Sequence, residues 1–166
     1  GGGADRRIGL LTPGIENETY FEHAYLARYL GLLLVEGGDL TVREAVTYVR
    51  TVRGLQGIDV LWRRLEGAAA DPLFLDSASQ LGVPGLVRAV KSGNLRIANS
   101  LGAGLAESRA LLAFMPRIAE RVLGRAPALP NIATWWCGQE AARRTVLDQL
   151  DRLLVAPAHD GAVLGE

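Results

Sequence analysis

The pattern that most narrows the fold lies in residues 8–36. Residues 8–12 form a short apolar run that Pro13-Gly14 stops, as a strand running into a turn would. Residues 19–30 follow with helical spacing, and His23, Leu26, Ala27 and Leu30 fall on one stripe. Thr19 and Glu22 have the T-x-x-E spacing of a capping box, and Gly31 stands where a C-terminal cap belongs. Residues 32–36 are a second apolar run, continuous in the manner of a parallel strand covered on both faces. Strand, capped helix and strand in that order make a βαβ unit, whose crossover is right-handed in nearly all proteins.

The rest of the chain continues the alternation. Val42, Val46, Tyr48 and Val49 lie among Arg43, Thr47 and Arg50, the partial alternation of a half-exposed strand. Gly54 and Gly57 mark a turn into residues 58–64, a third core strand. This predicts a β-hairpin inserted before that strand. Residues 66–83 have no period and carry Asp71-Pro72 and Gly82-Val83, which predicts a binding loop or a poorly ordered one. Pro84 opens a helix running to Lys91, Gly93-Asn94 ends it, and residues 95–98 supply a fourth strand.

Residues 108–123 are helical in pattern, with Pro116 forcing a kink or two short helices, and Gly124 caps the end. Pro127 and Pro130 give an extended linker. Residues 139–152 form a further helix with Ala142, Val146, Leu150 and Leu153 on one face. Residues 153–158 have the composition of a strand. The expected fold is α/β, a three-layer Rossmann-like domain with a mainly parallel sheet and an inserted β-hairpin. Both ends look like cuts: Gly1-Gly2-Gly3 is a run that would not pack, and little follows the last strand. The expected organisation is a domain over residues 1–152, then the truncated start of another region, or a tail, over residues 153–166.

Charge excludes some partners. Eighteen Lys and Arg balance 18 Asp and Glu, so the formal net charge is zero. Such a chain lacks the positive surplus that drives binding to nucleic-acid phosphates or to an anionic membrane. Its apolar runs are too short to span a bilayer, and no charged segment followed by an apolar core marks a signal peptide. The single cysteine, Cys137, allows no internal disulfide, which fits a cytoplasmic protein.

Ligands of parallel α/β sheets bind beyond the carboxyl ends of the strands. Three loops fall there: residues 13–18, 66–83 and 99–107. In the last, Gly102 and Gly104 would let backbone N–H groups approach an anion, or simply make a turn. Asn17, Glu18, Glu22 and His23 cluster at the end of the first strand. They offer polar contacts to a small substrate, although His23 also suits a satisfied core position. Arg63 and Arg64 end the third strand and point to opposite faces. Either grips a carboxylate or phosphate, or pairs with Glu66 or Asp71 on the surface. Cys137, near a helix start, has no clear histidine base in His23 or His159, so a small buried thiol is the plainer reading. Trp135 and Trp136 read as packing for a domain junction. One cysteine and two scattered histidines make no zinc site.

Several strings together resemble one family. They are Leu11-Thr12-Pro13-Gly14, Asn17-Glu18-Thr19-Tyr20-Phe21-Glu22-His23-Ala24-Tyr25-Leu26-Ala27-Arg28, Val35-Glu36-Gly37-Gly38-Asp39-Leu40, Arg63-Arg64 and Leu81-Gly82-Val83-Pro84-Gly85-Leu86. Gly93-Asn94, Ala98-Asn99-Ser100-Leu101-Gly102-Ala103-Gly104 and Thr134-Trp135-Trp136-Cys137-Gly138 complete the set. The chain resembles the circularly permuted ATP-grasp proteins, a bacterial group related to glutathionylspermidine-synthase-like ligases. The resemblance covers nearly the whole chain in the same order.

The resemblance implies a ligase that activates a carboxylate as an acyl-phosphate and joins it to an amine, with ATP and Mg2+ as cofactors of the full-length protein. It implies that this segment is the Rossmann-like domain preceding the grasp fold. Its partners would be the remaining ATP-grasp lobes of the same polypeptide and a small amino-acid or peptide-like substrate. Carried over by position, the substrate or interdomain contacts are Asn17, Tyr20, Glu22, His23, Arg63, Arg64 and Asn99, with Gly102 and Gly104 as backbone donors. The family commonly ends its next strand in Lys-Pro-Ala, the lysine reaching the phosphates. Here Ala156-Pro157-Ala158 stands in that place, and Ala156 supplies no charge. A non-catalytic, degenerate binding or scaffold domain is therefore the alternative. A stand-alone nucleotide-binding module is weaker, because no complete glycine fingerprint is present.

Overall fold

The computed structural model describes residues 6–158 and divides into two compact units at Ala103 and Gly104. The Gly1-Gly2-Gly3 run and His159 lie outside the described residues. Among the described residues no helix is long and apolar enough to cross a membrane.

The first unit is α/β. Strand β1 (Ile8–Leu11), helix α1 (Tyr20–Leu30) and strand β2 (Leu33–Val35) make the expected βαβ unit, with β1 and β2 parallel. Strand β6 (Val60–Arg63) pairs with the other side of β1, and β7 (Arg96–Ala98) pairs with β6, all parallel. The order is β2-β1-β6-β7. Leu10 and Leu11 are both wholly buried although the pleat sends them to opposite faces, so β1 is covered on each side.

Between β2 and β6 the chain makes a second, antiparallel sheet, β3 (Leu40–Arg43), β4 (Val46–Thr51) and β5 (Gly54–Gly57). The expected hairpin is therefore a three-stranded meander. The extra strand was hidden by its turn. Glu44 and Ala45, the two residues between β3 and β4, both take positive φ, 51° and 62°. That is the backbone of a tight two-residue turn usually signalled by Asn-Gly or Asp-Gly, which this sequence lacks. Asn94 Nδ2 donates to the Ala45 carbonyl at 3.1 Å and helps hold the turn. Helix α2 (Leu86–Lys91) joins both sheets in one core: Leu86, Ala89 and Val83 pack with Leu11, Leu61, Leu40 and Val49.

Residues 66–83 form an ordered loop organised around Asp71. That carboxylate is wholly buried. Its Oδ1 accepts from the backbone N–H of Leu73 (2.9 Å) and Gly85 (3.1 Å), and its Oδ2 from that of Val87 (2.8 Å). One side chain thus satisfies the free donors at the start of α2 and folds the loop onto them. The helix begins at Leu86, after a left-handed Gly85, and not at Pro84.

The second unit contains α3 (Gly104–Glu107), α4 (Arg109–Leu112), α5 (Met115–Leu123) and α6 (Glu140–Leu147). Pro116 sits in the first turn of α5, just after Met115, where its missing N–H costs nothing, which gives the expected break into two helices. The last helix stops at Leu147, short of the expected 152, and Leu150 is half-exposed. Residues 153–158 are not in a ladder, contrary to the expected strand. A strand exists only with a partner, and the described residues provide none there. Cys137 is exposed, which corrects the expectation of a buried thiol. Trp136 packs edge-on to Phe114 at 5.7 Å. Trp135, Trp136 and Cys137 line a 590 Å³ cleft within this unit, together with Leu153 and Leu154.

Candidate functional site

The strand order places a switch point between β1 and β6. From β1 the chain goes to β2 on one side, while β6 and β7 lie on the other. Loops leaving adjacent strands in opposite directions open a crevice at their carboxyl ends. The residues there are Thr12 to Gly14 after β1 and Arg63 to Arg64 at the end of β6.

His23 is the best-connected side chain on this rim. It is 1% exposed and sits on the buried face of α1. Its Nδ1 lies 2.9 Å from Thr12 Oγ1, and its Nε2 lies 3.1 Å from Thr19 Oγ1. Thr19 donates its hydroxyl to Asn17 Oδ1 at 2.6 Å. That hydroxyl has one proton, so toward His23 it accepts. The network thus assigns the proton to Nε2 and leaves Nδ1 to accept from the Thr12 hydroxyl. Gly14 N–H in turn donates to Thr12 Oγ1 at 3.3 Å. A directed chain, Thr12 to His23 to Thr19 to Asn17, ties the end of β1 to the start of α1.

This network displaces the expected capping box. Thr19 makes no side-chain bond to a helix N–H, because its hydroxyl is already committed to Asn17 and His23. Glu22 instead reaches across to Arg64, Oε1 to Nη2 at 2.5 Å. The Arg64 guanidinium also lies over the Trp62 ring, 5.8 Å from its centroid, in cation–π range. Arg64 Nε is buried without a partner, while the side chain as a whole is 28% exposed. Arg64 is therefore oriented from two sides, and its side chain stays partly exposed.

The two arginines diverge as strand alternation requires. Arg63 is 8% exposed and turned toward carbonyl groups: Nε to Asn99 O at 3.2 Å, Nη2 to Ser100 O at 3.1 Å, and Nη1 to Leu65 O. Asn99 Nδ2 returns a bond to Arg63 O at 3.3 Å, and Asn99 sits at φ 52°, in the left-handed region. Arg63 and Asn99 thus lock the loop after β7 to the end of β6. Tyr20 is half-buried, its ring edge-on to Phe21. Gly102 and Gly104 have open space where a side chain would be, and neither has a positive φ. Gly104 begins the second unit.

Thr12, Thr19 and Asp71 organise these loops in roles that motifs alone do not give them. Thr12 has no local signature. Asp71 has one, the Asp-Pro step that starts an Asx-type turn.

The charge state of His23 follows from its setting. Burial disfavours the imidazolium, the nearby Arg64 guanidinium disfavours it further, and Glu22 partly offsets both, so the pKa is lowered from the ordinary 6.5. An unfolded chain then binds a proton that the native state refuses, at pH values between the lowered pKa and 6.5. Stability is full above 6.5 and is lost as pH falls through that window. Urea midpoints of the wild type are expected to fall more than those of His23→Gln between pH 7.5 and 5.5. Equal falls would mean that His23 carries no such linkage.

Among the described residues no group of three His, Cys, Asp or Glu side chains is placed to hold a metal ion.

Comparison with known proteins places this architecture. The circularly permuted ATP-grasp type 2 family matches residues 2–165. The chain belongs to that family. Among relatives, it is similar to the "Uncharacterized protein sll0335" of Synechocystis sp., 40% identical over 94% of this chain and 32% of that protein. It is also similar to two Mycobacterium tuberculosis proteins. "Uncharacterized protein Rv2411c" is 38% identical over 98% of this chain and 29% of its own length. "Uncharacterized protein Rv2567" is 39% identical over 96% of this chain and 18% of its own length. The chain thus spans a third or less of the length of these relatives.

Proposed function

We propose that this chain is the substrate-side domain of an ATP-dependent carboxylate–amine ligase, working as one part of a longer circularly permuted ATP-grasp polypeptide. The observation that carries the reading is Arg64. It stands at the switch-point crevice, is held by Glu22 and Trp62, and keeps about a quarter of its side chain exposed, 28%. A guanidinium fixed in this way is suited to a planar carboxylate, the group such a ligase must activate or recognise. Asn17 and Tyr20, before and at the start of α1, are assigned to further substrate or interdomain contacts. His23, Arg63 and Asn99 position these groups by holding the loops. Gly102 and Gly104 are assigned to backbone contacts with substrate or a neighbouring lobe.

In this reading residues 1–152 form the substrate domain and residues 153–166 lead into the nucleotide-clamping lobes. ATP and magnesium would be held there, so no nucleotide step is assigned to the residues of this chain. The substrates are a small amino acid or peptide and its amine partner, in the cytoplasm.

The test uses the full-length protein with magnesium, ATP and a panel of amino acids and short peptides, reading ADP or phosphate release. Arg64→Ala is expected to raise the KM for the carboxylate substrate by at least about tenfold, the loss of a charge-assisted pair, with little change in the KM for ATP. An unchanged carboxylate KM would remove Arg64 from the site.

Ala156 favours a second reading, a non-catalytic member that binds ligand without turnover. If full-length protein binds no nucleotide and Ala156→Lys restores binding, the degenerate reading stands. If wild type turns over ATP, it falls.

A further inference from the structure

Helix α1 carries three aromatic residues at four-residue spacing, Phe21, Tyr25 and Tyr29, which places them in one row. The row lies on the helix face opposite His23 and Ala27, the two buried positions. All three rings are open, at 84%, 66% and 74% exposure. Tyr25 and Tyr29 stack on each other 5.9 Å apart with planes 9° from parallel.

A helix covering a sheet ordinarily turns a charged face to water. Isolated exposed apolar residues mean little, but three exposed rings in register on one helix face, two of them stacked, mark a contact surface. The row takes no part in the buried core, since the buried positions of α1, His23 and Ala27, lie on the other face of the helix. Nor does the candidate crevice use it: the groups that converge there are Arg64, Glu22 and the His23 network.

We propose that the Phe21–Tyr25–Tyr29 row is an intramolecular docking face, covered in the full-length protein by another lobe of the same polypeptide. Two arguments select that occupant. The relatives are longer by the equivalent of further lobes, since the matched region is 32% and 29% of two of them. A free partner or second copy also needs a patch of roughly 800 Å² per side. A tethered lobe faces an effective concentration in the millimolar range, so a strip of three rings suffices. The tyrosines fix the chemistry of the covering surface: apolar against the rings, with hydrogen-bond acceptors for the two hydroxyls. The inference rests on the chain being one module of a longer polypeptide and not on the ligase reading.

The test is nitration of Tyr25 and Tyr29 by tetranitromethane, followed by mass spectrometry, on the 166-residue chain and on the full-length protein. Both tyrosines are expected to react at least about tenfold more slowly in the full-length protein, as burial of a formerly open group demands. Equal rates in the two would overturn the proposal. Slow reaction in the 166-residue chain that quickens on dilution would also overturn it, in favour of a second copy as the occupant. A companion variant, Phe21→Ser with Tyr25→Ser and Tyr29→Ser, is expected to lower the unfolding midpoint of the full-length protein while leaving that of the short chain nearly unchanged. A drop of equal size in both would show the row to be part of the local fold and sink the docking assignment. ATP turnover is not read in any arm, so failure here is distinct from failure of the ligase reading.

Discussion

Asp71→Ala is expected to destabilise the sheet-bearing unit by about 3 kcal/mol, seen as a lower urea midpoint at unchanged slope. Three backbone N–H groups, those of Leu73, Gly85 and Val87, lose their acceptor at once. Two of them belong to the start of α2, whose Leu86 and Ala89 are wholly buried in the core. Water can reach part of this region after the substitution, which is why the cost stays below the sum of three charge-assisted bonds. Asp71→Asn should cost less, about 1 to 2 kcal/mol. Its carbonyl oxygen can keep serving Leu73 and Gly85, while its amide group turns a donor toward the Val87 N–H. An Ala variant as stable as wild type would mean that the carboxylate merely occupies the loop and does not organise it.

The parts of the fold legible in the sequence are those set by local periodicity and by glycine. The βαβ unit announced itself because residues 8–12 and 32–36 are short apolar runs on either side of a helical stripe, and Gly31 ends α1 at φ 68° as a left-handed cap should. The expectation that residues 32–36 are covered on both faces fails, since β2 is an edge strand with Leu33 exposed. Gly93 and Gly124 do the same for α2 and α5, at 78° and 66°. What was not legible depended on partners distant in sequence. The turn at Glu44 and Ala45 takes positive φ with residues that do not advertise it, because Ser92 and Asn94 hold the Ala45 carbonyl from 47 and 49 positions away. The capping box at Thr19 and Glu22 was a correct local pattern overruled by the bonds of Thr19 to Asn17 and His23 and by the long-range pair of Glu22 with Arg64. The candidate site shows the same division. Alternation separated Arg63 from Arg64, but only the packed loops reveal that Arg63 is enclosed and Arg64 is presented.

Gly37→Ala and Gly82→Ala are expected to cost about 3 kcal/mol each, at the upper end for overpacking. A methyl on Gly37 would lie 2.2 Å from Leu81 O, and one on Gly82 would lie 2.2 Å from Ala69 O. Both obstacles are backbone, so no rotamer change relieves them. Neither glycine has a positive φ, so the cost is contact and not conformation. The contacts run in series: the loop after β2 rests on residues 81–82, and those rest on residues 69–70, which Asp71 anchors. Gly38→Ala is the matched control. It is the next residue in the same turn, yet a methyl there meets nothing within 4 Å, so its midpoint should stay within about 0.5 kcal/mol of wild type. Because the series ends at Glu36, whose carboxylate lies against Gly14 at the crevice, parting it also loosens the rim. Amide exchange should then rise at Gly14 and at Asp39 in Gly82→Ala, a readout that global unfolding alone would not confine to those loops. Equal costs at Gly37 and Gly38 would show that the loops yield freely, and the rim would lose its claim to being built rather than merely folded nearby.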